Sequence, residues 1–299
     1  MPSRLFGRRT LGAASALSLA LGAGLSAPVL LAGTAGAATS SATAALSGGT
    51  VVYAAGLGQT NKVSVTASKA GADIAYLIDD VVTISAGNGC TYPSSTDRTK
   101  VSCKVATMDS QDPYATLEMS LGDGNDVVAY HNKTDQTYYF ASIDLGAGRD
   151  TLTESGRVEG NDVSGGAGDD TLSVGAVTVV RGGEGTDTIH AADGTIAQGG
   201  DGNDTLYSTG DDSAVDGGAG NDVIHGGEAR QSLSGGDGND TLYGGPGKDF
   251  LYGGRGHDVL YGNGGEDTIY GNSGNDKLYG GPGADTLSGG PGTDVVHQD

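Results

Sequence analysis

Apolar positions recur along this chain with a period of nine. From Gly235 to His297 there are seven consecutive units without insertion: GGDGNDTLY, GGPGKDFLY, GGRGHDVLY, GNGGEDTIY, GNSGNDKLY, GGPGADTLS and GGPGTDVVH. Each has glycine at positions 1 and 4, aspartate at 6 and Leu, Ile or Val at 8. Glycine tolerates positive φ and close backbone approach, so positions 1 to 6 predict a tight turn. Positions 7 to 9 are aliphatic, β-branched and aromatic, which predicts a short strand with position 8 facing inward. Units stacked alternately on two sides make a flattened coil with two turns and two strands per 18 residues. Its core is Leu242, Leu251, Leu260, Ile269, Leu278, Leu287 and Val296.

Upstream the period weakens. LGDGNDVVA at Leu121 and LGAGRDTLT at Leu145 begin with leucine, whereas GGAGDDTLS at Gly165, GGEGTDTIH at Gly182, GGDGNDTLY at Gly199 and GGAGNDVIH at Gly217 keep the glycine. The last four start 17, 17 and 18 residues apart, about one coil, so only one side has intact turns here. Val174 to Arg181 and Ser208 to Asp216 read as degenerate turns, and GGEARQSLS at Gly226 has Gln231 at the aspartate position. Between residues 38 and 120 the pattern changes to strand-like runs, Thr50 to Tyr53, Lys62 to Thr66, Val81 to Ser85 and Val101 to Val105, with no helical period. Three regions are expected after residue 37: a β-rich region at 38–120, a degenerate coil at 121–216 and a regular coil at 217–299.

Composition sharpens this picture. The chain has 299 residues, 56 glycines, no Trp and a formal charge of −21, which suits an elongated all-β solenoid. The acidic surface disfavours nucleic acid as a partner. Residues 1–37 read as a signal peptide: Arg4, Arg8 and Arg9, an uncharged Ala/Leu stretch from Leu11 to Leu31, and Ala35-Gly36-Ala37 as the cleavage site. Arg8-Arg9-Thr10-Leu11 also resembles a twin-arginine signal, although export of a folded chain fits a cation-dependent fold less well. A secreted, extracellular chain without a membrane segment after signal removal is expected. Cys90 and Cys103, the only cysteines, are then expected to form a disulfide.

One inward aliphatic side chain per nine residues is a thin core for so much ordered backbone. Every turn also brings a carboxylate beside those above and below it. A cation must sit between them, and oxygen-only ligands in a flexible site select Ca2+.

These nonapeptides resemble the repeats-in-toxin, or haemolysin-type, calcium-binding repeats, whose pattern is G-G-x-G-x-D followed by a short apolar strand. The resemblance implies a parallel β-roll that holds several calcium ions between same-side turns, on position-6 aspartates and turn carbonyls. It implies the pairs Asp222 with Asp240, Asp240 with Asp258, Asp249 with Asp267, Asp258 with Asp276, Asp267 with Asp285 and Asp276 with Asp294. The same position holds Asp126, Asp150, Asp170, Asp187 and Asp204 in the earlier units. Gln231 puts in doubt a site with Asp249, so one row of ions is expected early and two later.

Position 9 adds a column, Tyr207, His225, Tyr243, Tyr261, Tyr279 and His297, with Tyr252 and Tyr270 on the other side. Outward rings can bind sugars or simply stack between strands. The strand Asp294 to His297 is expected as an open edge, suited to self-association or a partner. The sequence contains no G-x-S-x-G, no H-E-x-x-H and no His-centred constellation, and His190, His225, His297 and His257 read as repeat positions. The leading expectation is a secreted, non-enzymatic calcium-binding roll. The alternatives are a calcium-dependent polysaccharide-active enzyme and a glycan-binding adhesin.

Overall fold

Turn residues every few positions leave no uninterrupted run for a helix, and the described residues form strands and turns alone. The computed structural model describes residues 41–107, 114–134, 139–156 and 160–298. The expected signal peptide, residues 1–37, lies outside them. Among the described residues no helix is long and apolar enough to cross a membrane.

Successive strands alternate between two sheets, which makes the chain a parallel β-solenoid. One sheet runs from Thr286–Ser288 back through Phe250–Arg255, Gln231–Asp237, Ser213–Ala219, Ile196–Asp201, Val179–Glu184 and Asp162–Ala167 to Thr50–Ala54 and Ala42–Ser47. The other runs from Val295–His297 through Thr241–Gly247, Thr205–Ser208, Thr188–Ala191, Thr171–Ser173 and Val127–Lys133 to Lys62–Ala70, Asp73–Asp79 and Lys100–Val105. In register, Leu242 faces Leu260, Leu260 faces Leu278, and Leu278 faces Val296. Leu233, Leu251, Ile269 and Leu287 do the same in the opposite sheet. These columns are buried as far as Leu278, whereas Val296 is 46% exposed.

The segments read as degenerate are complete coils. The strands Val179–Glu184 and Ser213–Ala219, which begin in these segments, pair in register with their neighbours. At the other end, Thr50–Ala54 and Lys62–Ala70 lie parallel to Tyr114–Ser120 and Val127–Lys133 and so build the first coil. Ala42–Ser47, Asp73–Asp79 and Lys100–Val105 then join antiparallel, which ends the parallel stacking and covers the core with Tyr53, Tyr76 and Ile78. The Cys90–Cys103 disulfide is formed, between directly opposed residues of an antiparallel pair.

One expected strand is misplaced. Of Val81 to Ser85 only Ile84 and Ser85 enter a strand, Ile84–Ala86, and Val81 is 61% exposed. Asp80 interrupts the run by turning inward: its Oδ1 accepts the Lys62 and Val81 amides, and its Oδ2 accepts Tyr53 Oη and Asn61 Nδ2.

Candidate metal centres

The strand alternation that buries position 8 also turns position 6 inward, and the aspartates there stack in rows. In the longer row, each amide donates to the carboxylate one coil on. Asp126 N–H bonds Asp150 Oδ1 at 2.7 Å, Asp150 N–H bonds Asp170 Oδ1 at 2.8 Å, and the series continues through Asp187, Asp204, Asp222, Asp240, Asp258 and Asp276 to Asp294. The row starts on a carboxamide residue, whose Asn61 N–H donates to Asp126 Oδ1 at 2.6 Å. A shorter row on the other side starts likewise, with Gln231 N–H on Asp249 Oδ1, followed by Asp267 and Asp285.

Each carboxylate therefore has one oxygen engaged. The other, Oδ2, is buried without a hydrogen-bond partner at Asp126, Asp150, Asp170, Asp187, Asp204, Asp222, Asp240, Asp249, Asp258, Asp267, Asp276 and Asp285. A buried charged oxygen left bare is costly, and a chain does not repeat it twelve times without something to meet it. Glycine at position 1 keeps the space open. A Cβ on Gly182 would overlap both Asp187 Oδ2 and the carbonyl oxygen of Gly199, one coil on. The same cradle of carboxylate and next-coil carbonyl recurs at Asp170, Asp204, Asp222, Asp240, Asp258 and Asp276, and at Asp249, Asp267 and Asp285 in the shorter row. Asp126 and Asp150 differ, because the buried side chains of Leu121 and Leu145 stand where the other units have glycine. Asp294 closes the longer row, with its carboxylate against Gly289.

Electrostatics agree with the geometry. Burial, opposed by the backbone hydrogen bond and reinforced by neighbouring carboxylates, pushes Asp170 and Asp222 up to about 7. Burial likewise raises Asp249 to about 7, and Asp126, Asp187, Asp240 and Asp258 to about 6. Asp150, Asp204, Asp267 and Asp276 rise for the same first reason. With no cation between them, Asp170, Asp222 and Asp249 are poised to hold a proton near neutrality. A hard divalent cation with oxygen ligands fits such a donor set.

The nonapeptide motif does not reveal what replaces the aspartate in the early coils of the shorter row. Asn161, Thr178 and Thr195 immediately precede the strands there, Ser213 opens the next and leads in sequence to Gln231, and all are buried. Thr195 Oγ1 donates to Gly175 O at 3.1 Å, Ser213 Oγ to Ala192 O at 3.2 Å and Gln231 Nε2 to Gly210 O at 2.9 Å, each in the turn one coil back. From Thr195 onward neutral donors thus meet the turn carbonyls on this side in place of a carboxylate. The signal was present as hydroxyl residues at 17- or 18-residue spacing.

Outside the turns, the position-9 rings form a continuous stack. His190, Tyr207, His225, Tyr243, Tyr261, Tyr279 and His297 follow one another at centroid separations of 4.8–5.2 Å, and Tyr252 stacks on Tyr270 at 5.5 Å. His257 lies in a turn ladder, where its Nδ1 accepts the Asn275 amide.

The family model for the RTX calcium-binding nonapeptide repeat (4 copies) matches residues 159–176, 179–195, 198–230, 226–260 and 261–296. No curated protein matches the chain. RTX nonapeptide repeats bind calcium ions, and several copies are present here. Bare carboxylate oxygens in glycine cradles and the matched repeats coincide over residues 159–296, and this stretch of the chain is built of RTX-type calcium-binding repeats.

Proposed function

We propose that this protein is a secreted, non-enzymatic calcium-binding β-roll that folds outside the cell when calcium fills the aspartate rows, and that its role there is structural or interactive. The carrying observation is the repeated bare, buried Oδ2. The ligands are Asp170, Asp187, Asp204, Asp222, Asp240, Asp258, Asp276 and Asp294 in one row and Asp249, Asp267 and Asp285 in the other, with carbonyls of the facing turns. Asp126 and Asp150 are the weakest members, since leucine fills the space beside them. The mechanism is linkage. A site with an affinity of about 10⁻⁴ M adds about 1.4 kcal/mol at millimolar calcium and almost nothing at submicromolar calcium. Many sites together then decide whether the chain folds, which makes the oxidising, calcium-rich exterior the natural setting for roll and disulfide alike.

The test is a calcium titration of the chain from residue 38, followed by calorimetry and far-UV circular dichroism. Cooperative uptake of several ions together with β signal is expected. A full β spectrum in chelator that calcium leaves unchanged would overturn the calcium-dependent fold.

A single observation favours the rival enzyme. Among the described residues, Ser155 Oγ and His131 Nδ1 form a hydrogen bond across adjacent strands. The neighbouring Glu154 does not complete a triad, because its carboxylate oxygens accept from Asn161 Nδ2 and the Gly175 amide. Ester or polysaccharide turnover that disappears in Ser155→Ala would replace the non-enzymatic reading.

A further inference from the structure

We propose that the outer face of the sheet carrying the stacked rings is a binding track for one extended, uncharged β-1,4-linked polysaccharide chain lying along the roll axis. This rests on the calcium-folded roll, since the track exists only when the coils are stacked.

The face is chemically unlike the rest of the molecule. Each strand from Thr171–Ser173 to Lys277–Tyr279 alternates, so the two residues flanking the buried aliphatic one point outward, and Val295–His297 continues the register at the exposed end. One outward column is the ring stack. The other contains Thr188, Thr205 and Thr241 together with Val223 and Val259, and ends on Lys277 and Val295. Neither column holds a carboxylate, although the chain carries a formal charge of −21. Apart from Lys277 the strip presents uncharged groups, which suits a neutral polymer better than a densely charged one.

The rings cover each other's faces, with interplanar angles of 3–12°. Sugars therefore have no open aromatic face within the stack. What projects is the edge, a phenol hydroxyl or an imidazole nitrogen, beside a column in which Thr188, Thr205 and Thr241 are interspersed with aliphatic Val223 and Val259. Hydroxyls both donate and accept, and the imidazole can do either through its two nitrogens, which is the complement a polyol needs. Ring spacing of 4.8–5.2 Å is close to the advance per sugar of an extended β-1,4-linked chain, so one ring edge meets each residue in turn.

Size selects the occupant. Three residues of strand make the strip about 10 Å wide, and eight strands make it about 34 Å long. That footprint of a few hundred Å2 is well under the roughly 800 Å2 per partner of a stable protein interface. A second copy of the roll is poorly held by it, whereas a single polymer chain is as narrow as the strip. Many weak contacts in register then add along the track.

The experiment uses the full chain at millimolar calcium, with circular dichroism and calcium uptake recorded on each sample. Co-sedimentation with microcrystalline cellulose and with chitin is compared with alginate, and a soluble β-1,4-linked hexaose is titrated by calorimetry. The variant Tyr243→Phe/Tyr261→Phe/Tyr279→Phe keeps the stack and removes three hydroxyls. Expected are retention on a neutral polymer and at least a tenfold weaker hexaose affinity in the variant, with calcium uptake unchanged. Equal retention of the variant, retention on neither neutral polymer, preference for alginate, or a Tyr-dependent dimer in sedimentation velocity each overturns the proposal. Failure of the calcium-folded roll itself would appear separately, as absent calcium uptake and β signal.

Discussion

Replacing Asp222 by asparagine should change stability in opposite directions with and without calcium. Asp222 Oδ1 accepts the Asp204 amide at 2.8 Å, and the asparagine side chain keeps an oxygen for that bond. The bare Oδ2 becomes an amide nitrogen beside the Gly235 carbonyl, much as Gln231 Nε2 meets Gly210 O. Burial has raised the Asp222 carboxyl from 3.8 to about 7. Its folded form therefore favours the proton. The stabilisation linked to that proton is complete below 3.8 and lost as pH rises through about 7. At pH 8 in chelator the ionised group opposes folding by on the order of 4 kcal/mol, and the asparagine variant escapes that penalty. In millimolar calcium the variant instead loses one site, about 1.4 kcal/mol for an affinity of about 10⁻⁴ M. Urea unfolding at pH 8, with chelator and with calcium, should show a higher midpoint for the variant in the first series and a lower one in the second. Equal destabilisation in both would mean that the carboxylate serves only as an acceptor in the ladder.

Other outcomes follow from the same geometry. In chelator, β signal should grow as pH falls from 8 through the 7-to-6 window set by Asp170, Asp222, Asp249, Asp126, Asp187, Asp240 and Asp258, while calcium affinity weakens over the same range. A pH-independent chelator spectrum contradicts this. Gly217→Ala puts a Cβ against Asp222 Oδ2 and 2.5 Å from Gly235 O, so calorimetry should count one ion fewer; an unchanged stoichiometry would show that this cradle is not a site. Thr195→Val leaves Gly175 O without its donor at about 1 kcal/mol, equal with and without calcium, and calcium stoichiometry should not move.

What could be read in advance followed the range of each interaction. The nine-residue period announced the two sheets, the inward leucines and the aspartate rows, because strand alternation acts on adjacent residues. Leu121 and Leu145 already marked two weaker units, and the structure shows why: buried side chains take the place of the open cradle. The spacing of Thr178, Thr195 and Ser213 is visible in the sequence, but what replaces the aspartate's role is not, since the carbonyls bonded by Thr195 and Ser213 lie 20 and 21 residues back. The antiparallel strands Ala42–Ser47 and Asp73–Asp79 were missed for a related reason. Their partners are settled by which edge of the first coil remains unpaired, not by their own composition. At Val81 the strand-like residues were overruled by one inward carboxylate, Asp80, with four donors around it.

The one-coil reach of the aspartate ladder gives the molecule an adjustable length. Each amide bonds the carboxylate of the following coil and no farther, so excising residues 235–252 would set Asp222 against Asp258 and Gln231 against Asp267 with every register kept. The rod would shorten by one step of about 4.8 Å and lose one aspartate from each row. A deletion or duplication of 18 codons makes such a change in a single event. Descendants of this chain can therefore vary in reach and calcium load without meeting a misfolded intermediate.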